Sequence, residues 1–177
     1  MQRKLMSVLV AAALFIAAPQ AVYGQLYLGP EVAWNNDYDI GIGAGVEFGL
    51  NNLTEGLGLY GDFLYFFADD AEIASGSETI LREQDYFEFN ANLTYVFPLK
   101  NSSVTPFALA GANFGIRDVN TENISFSGDD DLQVGLNLGG GIQFNLGDFR
   151  PRAGARFVLG GYETFTVFGF LPFAIGG

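Results

Sequence analysis

The chain has 177 residues with eight basic and twenty acidic side chains, no histidine and no cysteine. That length suits one domain, and the acidic balance argues against nucleic acid or any other polyanion as partner. Without histidine, Ser–His and Asp–His catalytic devices are excluded, and without cysteine, disulfides say nothing about the compartment.

The first predicted element is a cleaved export signal over residues 1–24. Arg3 and Lys4 form a positive start, and Leu5 to Ala18 is apolar or small apart from Ser7. That run is short for a spanning helix and is followed by small residues at Ala21 and Gly24. Cleavage after Gly24 leaves Gln25 first; cleavage after Ala21 is the alternative. The single domain expected after cleavage at Gly24, residues 25–177, then carries six basic against twenty acidic side chains, near −14. No later stretch is long and apolar enough for a spanning helix, so a membrane reading requires a closed barrel, the other architecture that satisfies every backbone group in lipid.

From Leu26 onward apolar residues recur with period two. Eight strands are predicted: Leu26 to Trp34, Ile40 to Leu50, Leu57 to Phe67, Tyr86 to Phe97, Thr105 to Arg117, Leu132 to Asn145, Phe149 to Leu159 and Thr164 to Phe173. The sixth is the clearest, with Leu132, Val134, Leu136, Leu138, Ile142 and Phe144 on one face and Gln133, Asn137, Gln143 and glycines on the other. Its length exceeds the usual globular strand of about five or six residues and suits a tilted bilayer crossing of about nine to eleven. The eighth is the least regular, because Phe168 and Phe170 fall on its polar face. Connections alternate in length. Asn51 to Glu55, Pro98 to Ser103 and Leu146 to Asp148 read as short turns. Ala68 to Asp85 and Asp118 to Asp131 read as long acidic loops, and Asn35 to Asp39 and Gly160 to Glu163 as shorter members of that set. Short turns on one rim and longer loops on the other mark an outer-membrane barrel.

A soluble sandwich alternates too, with its apolar face inward. Here the polar face is mostly glycine with single charges and no lysine, as a narrow eight-stranded lumen demands. The other face is bulky throughout, and its aromatics gather at strand ends: Trp34, Tyr65, Phe67, Phe87 and Phe165 at one rim, Phe48, Tyr95, Phe97, Phe144, Phe149 and Phe173 at the other. Two aromatic girdles belong at the two membrane interfaces. The predicted fold is an all-β, eight-stranded antiparallel up-and-down transmembrane barrel in the bacterial outer membrane, with lipid and lipopolysaccharide around it.

The polar face carries Glu31, Glu47, Asp62 and Glu88 from the first four strands and Arg117, Arg150, Arg152 and Arg156 from the fifth and seventh. A buried ion is costly unless paired and hydrogen-bonded, so four acids and four arginines are expected to form one network across the lumen. Its depth order puts Glu88 and Arg117 nearer the outer end than the other charges.

The segments Val104-Thr105-Pro106-Phe107-Ala108-Leu109-Ala110-Gly111-Ala112 and Gly139-Gly140-Gly141-Ile142-Gln143-Phe144 resemble strands of the OmpA/OmpX-type small outer-membrane barrels, in the broad outer membrane protein beta-barrel domain family. The resemblance implies a terminal aromatic read by the membrane's insertion machinery. This chain ends Phe173-Ala174-Ile175-Gly176-Gly177, so either Phe173 serves that role ahead of a short tail or the last strand is atypical.

A non-enzymatic barrel with a charge-plugged lumen and a structural or surface-interaction role is the functional expectation, with no catalytic residues, cofactor or metal. The alternative is a channel for small solutes or hydrophobic compounds, hinted at by Phe168 and Phe170. A lipid-modifying enzyme is a third reading; the resemblance class includes such barrels, but they depend on a histidine that this chain lacks. Asp69, Asp70, Glu72 and Asp129 to Asp131 read as solvated loop tips, without the ligand spacing of a calcium loop.

Overall fold

The computed structural model describes residues 25–67, 71–75, 78–100, 102–121, 131–147, 149–161 and 163–175, with backbone alone for 71–75, 78–85, 118–121 and 131. The expected leader and the tip of the loop beyond Thr121 lie outside these residues. The strands are β1 (Leu26–Asn35), β2 (Asp39–Gly49), β3 (Leu57–Phe67), β4 (Ala71–Ser75), β5 (Glu78–Val96), β6 (Val104–Thr121), β7 (Asp131–Phe144), β8 (Arg152–Leu159), β9 (Phe165–Phe170) and β10 (Phe173–Ile175). All pairings are antiparallel; they join chain neighbours except that β3 pairs with β5 past β4, and β1 closes the cylinder against β9 and β10.

β9 and β10 are one barrel strand with a gap. The register is the same on both sides, Glu31 opposite Phe170 and Leu28 opposite Phe173. Pro30 and Pro172 flank the gap, and neither has an N–H to offer the ladder. The Leu171 N–H donates to the Pro30 carbonyl at 3.0 Å, which holds the edge together there. With β4 set aside as an outer hairpin arm, eight strands close the barrel.

One expectation needs correction. Residues 68–85 were expected as loop, but β5 reaches back to Glu78 and pairs with β4. The same extension pairs with β6 as far as Thr121. Lipid imposes strict alternation only inside the bilayer, so a sheet that rises above it has no such pattern to announce it. The last two strand starts also moved: Pro151 precedes β8, and β9 begins at Phe165.

The alternation resolves into two faces. Val32, Ile42, Leu93, Val134, Leu136, Leu138 and Phe157 point outward and are exposed, while the opposite residues line a packed lumen. Outward aromatics stand toward the ends, where Tyr65 meets Phe67 and Phe87 at 4.9 and 5.1 Å between centroids, Tyr95 meets Phe97 at 5.1 Å and Phe149 stacks on Phe173 at 5.1 Å. They stand also in the middle of the sheet, where Phe63 meets Phe89 at 4.7 Å. Burying the end rings at headgroup depth suits their amphipathic edges. A charge placed on the outward face should therefore cost most at mid-height. Leu138→Arg, central in β7, is expected to lower folding stability in lipid vesicles by about 2–4 kcal/mol, and Leu132→Arg near the rim by about 0–1. Equal losses at both positions in denaturant titrations would contradict a bilayer around this face.

Glycines on the lumen side make room for rings from neighbouring strands. A Cβ on Gly45 would lie 2.9 Å from the rings of both Phe170 and Tyr60, and one on Gly41 2.7 Å from the Phe66 ring. The glycine face is thus the seat of an aromatic interior.

Candidate functional site in the barrel lumen

The centre of the lumen is organised by Arg156. It stands on β8, is 0% exposed, and faces acids from three other strands. Its Nη1 and Nη2 donate to the two oxygens of Asp62 on β3 at 3.0 and 3.1 Å. Nη2 also donates to Glu88 Oε1 on β5 at 3.1 Å. Glu31 Oε1 on β1 lies 3.9 Å from Nη1, and its other oxygen accepts from the Tyr60 hydroxyl. A planar guanidinium suits this role because its fork fits one carboxylate with both ends and still reaches a second.

Amides spread the network around the wall. Asn90 Nδ2 donates to Asp62 at 2.7 Å and to Glu88 at 2.9 Å. Asn113 Nδ2 donates to Glu88 and to Asn90 Oδ1, both at 2.9 Å. Asn137 Nδ2 continues to Asn90 Oδ1 at 2.7 Å and Asn92 Oδ1 at 2.9 Å. These residues share the buried face because they sit an even number of positions apart on paired strands.

The other charges separate from this centre. Arg152 Nη2 donates to Glu47 Oε1 at 2.7 Å toward the short-turn end, and Gln143 Oε1 accepts from the same guanidinium at 2.9 and 2.7 Å. Arg117 lies at the long-loop end and donates to the Tyr38 hydroxyl. Burial pushes that hydroxyl up from its ordinary range, so it meets Arg117 as a neutral phenol. Arg150 stands before β8 with its guanidinium carbon 5.5 Å from the Tyr27 ring centroid. The eight charges therefore fall into a triple-acid centre, one lower pair and two arginines set against tyrosines, where one network was expected. Glu88 also joins the middle group, because its partner strand places it opposite Leu64, directly above the Asp62–Asn90 pair.

An aromatic contribution to the site went unread in the sequence. Each of the four arginines has a ring beneath it: Phe168 under Arg156 at 5.4 Å, Phe107 under Arg152 at 5.2 Å, and the two tyrosines under Arg117 and Arg150. A ring face attracts a cation more strongly once both are desolvated. Phe168 and Phe170, irregular by alternation, are lumen packing: Tyr60 lies 6.5 Å from Phe168 and 5.1 Å from Phe170 between centroids. The available signal was β3, apolar on both faces at Tyr60, Leu64 and Phe66. Among the described residues no group of acids is placed to hold a metal ion.

Known barrels share this frame. Ail, the attachment invasion locus protein of Yersinia pestis, superposes with a TM-score of 0.56 at 16% identity, covering 85% of this chain and 95% of Ail. The N-terminal barrel domain of Pseudomonas aeruginosa OprF gives 0.57 at 14% identity, with 86% and 99% covered. Neisserial surface protein A gives 0.58 at 12%, with 86% and 97% covered. No curated protein sequence matches the chain. The model of the outer membrane protein beta-barrel domain matches residues 6–170. A closed cylinder with an apolar exterior and a packed polar interior is thus accounted for: the chain belongs to the outer membrane protein beta-barrel domain family and is a barrel of the bacterial outer membrane.

Proposed function

We propose that the protein is a non-enzymatic barrel whose lumen is plugged by its own charges and whose outer sheet acts at the cell surface. The observation that carries the plug is Arg156, fully buried and within 3.1 Å of two carboxylates from different strands. Eight strands enclose a space just wide enough for side chains, and cross-strand ion pairs occupy the middle of it. The same charges tie β3, β5 and β8 together across the cylinder, which gives the barrel stiffness as well as closure. Phe168 and Phe170 support this reading over a hydrophobic channel, because they pack on Tyr60 and Arg156.

The missing histidine supports a role without catalysis. Lipid and lipopolysaccharide are its surroundings. Phe173, outward-facing and paired through β10 to Leu28, sits on the closing seam, where the insertion machinery would meet the barrel. The strands β4 to β6 rise above the bilayer and carry the acidic segments, and a surface partner would meet them first. Planar bilayer recordings of purified protein are expected to show no steady conductance. A stable open state of large conductance would overturn the plug.

A further inference from the structure

The outer end of the lumen is closed differently from its middle. Tyr38 belongs to the turn between β1 and β2, where side chains ordinarily face water, yet it is only 4% exposed. Its ring lies on Tyr86 with centroids 3.9 Å apart and planes 14° apart. Phe66 is tilted against it at 6.4 Å. The Arg117 guanidinium carbon stands 5.4 Å from the ring centroid, and Arg117 Nε donates to the hydroxyl at 3.1 Å.

The turn is fixed in this pose from both sides. Asp39 takes a left-handed backbone, φ 56°, which aspartate tolerates better than most residues and which turns the chain into β2. Asn35 accepts from the Asp37 N–H at 2.9 Å and donates to Thr166 Oγ1 at 3.0 Å. Asn36 and Phe165 exchange two more bonds, at 3.1 and 2.7 Å. Tyr38, Leu64, Phe66, Tyr86 and Ala33 belong to one buried apolar cluster that also takes in Phe107, Leu109 and Phe168; Ala33, Leu64 and Tyr86 stand two residues along their strands from Glu31, Asp62 and Glu88.

We propose that Tyr38 is a stopper that seals the lumen at its outer mouth, a barrier separate from the ion pairs beneath it. The inference extends the closed-lumen reading but assigns the outer seal to an aromatic ring carried by a turn. Charges below it are shielded from the outside by this ring before they are shielded by one another.

The chain has no cysteine, so a single reporter thiol can be placed in the buried cluster that holds the ring. Ala33→Cys puts a small side chain within the cluster. In intact cells, a charged, membrane-impermeant thiol reagent is expected to label Cys at position 33 slowly while Tyr38 is present. With Tyr38→Ala the labelling rate rises by about tenfold or more, because the covering layer no longer has to open. Tyr38→Phe, which keeps the ring, stays slow. Tyr38→Leu gives the same reading as alanine with a smaller loss of packing, should the alanine variant assemble poorly; heat-modifiable gel mobility reports folding in each case. Labelling unchanged by both truncations, or fast with Tyr38 in place, overturns the stopper. Fast labelling without steady conductance would overturn the stopper and leave the charge plug standing, whereas steady conductance of the unsubstituted protein would overturn both, so the two failures are distinguishable.

Discussion

Replacing Arg156 by methionine is expected to destabilise the barrel by about 3–5 kcal/mol, the cost of leaving buried acids without their cation. Among the described residues the guanidinium is the single positive group facing Asp62, Glu88 and Glu31. Without it, three carboxylates share a dry centre in which, among the described residues, the side-chain donors are amides and the Tyr60 hydroxyl. The measurement is urea unfolding in lipid vesicles. The lone tryptophan, Trp34, reports through its fluorescence because it faces outward at the rim. Neutralising the partners should reverse most of the loss: Arg156→Met combined with Asp62→Asn and Glu88→Gln is expected to approach the parent stability. This follows because a buried ion pair contributes little net stability compared with an apolar or neutral replacement of the same shape. A methionine variant as stable as the parent would show that the centre does not depend on its arginine.

What could be read from the sequence divides along the bilayer. Within it, lipid on one side and a crowded lumen on the other force every second side chain outward. β3 accordingly appears at the predicted bounds Leu57–Phe67, and β1, β2 and β7 differ from their predicted bounds by a residue or so. Above the bilayer that constraint stops, and the β4–β5 hairpin was missed with it. Six of the eight expected lumen charges, Glu31, Glu47, Asp62, Glu88, Arg152 and Arg156, are buried on the inner face, while Arg117 and Arg150 are half-buried toward its ends. Their grouping was not legible, since it depends on stagger between strands far apart in sequence. Tyr38 gave no signal at all: a tyrosine between Asp37 and Asp39 reads as an exposed turn residue, and only the closure of the barrel shows the mouth into which it folds.

The aromatic interior leads to the second large effect, at Phe170. This side chain is fully buried against Tyr60, with centroids 5.1 Å apart. Phe170→Ala is expected to cost about 3–5 kcal/mol through lost burial and the cavity left behind. Gly45→Ala alone should cost about 1–3 kcal/mol, because its new Cβ falls 2.9 Å from both rings and something must shift to admit it. The two losses should not add. Once Phe170 is truncated, the Tyr60 ring gains space to move away from the new methyl, so the double variant is expected to be more stable than the sum by about 0.5–3 kcal/mol. Denaturant titrations of the four proteins in vesicles measure that difference directly. Additive losses would mean that Gly45 is small for a backbone reason and that no ring sits against it. Coupling would establish that Gly45 is small because the rings of Phe170 and Tyr60 sit against it.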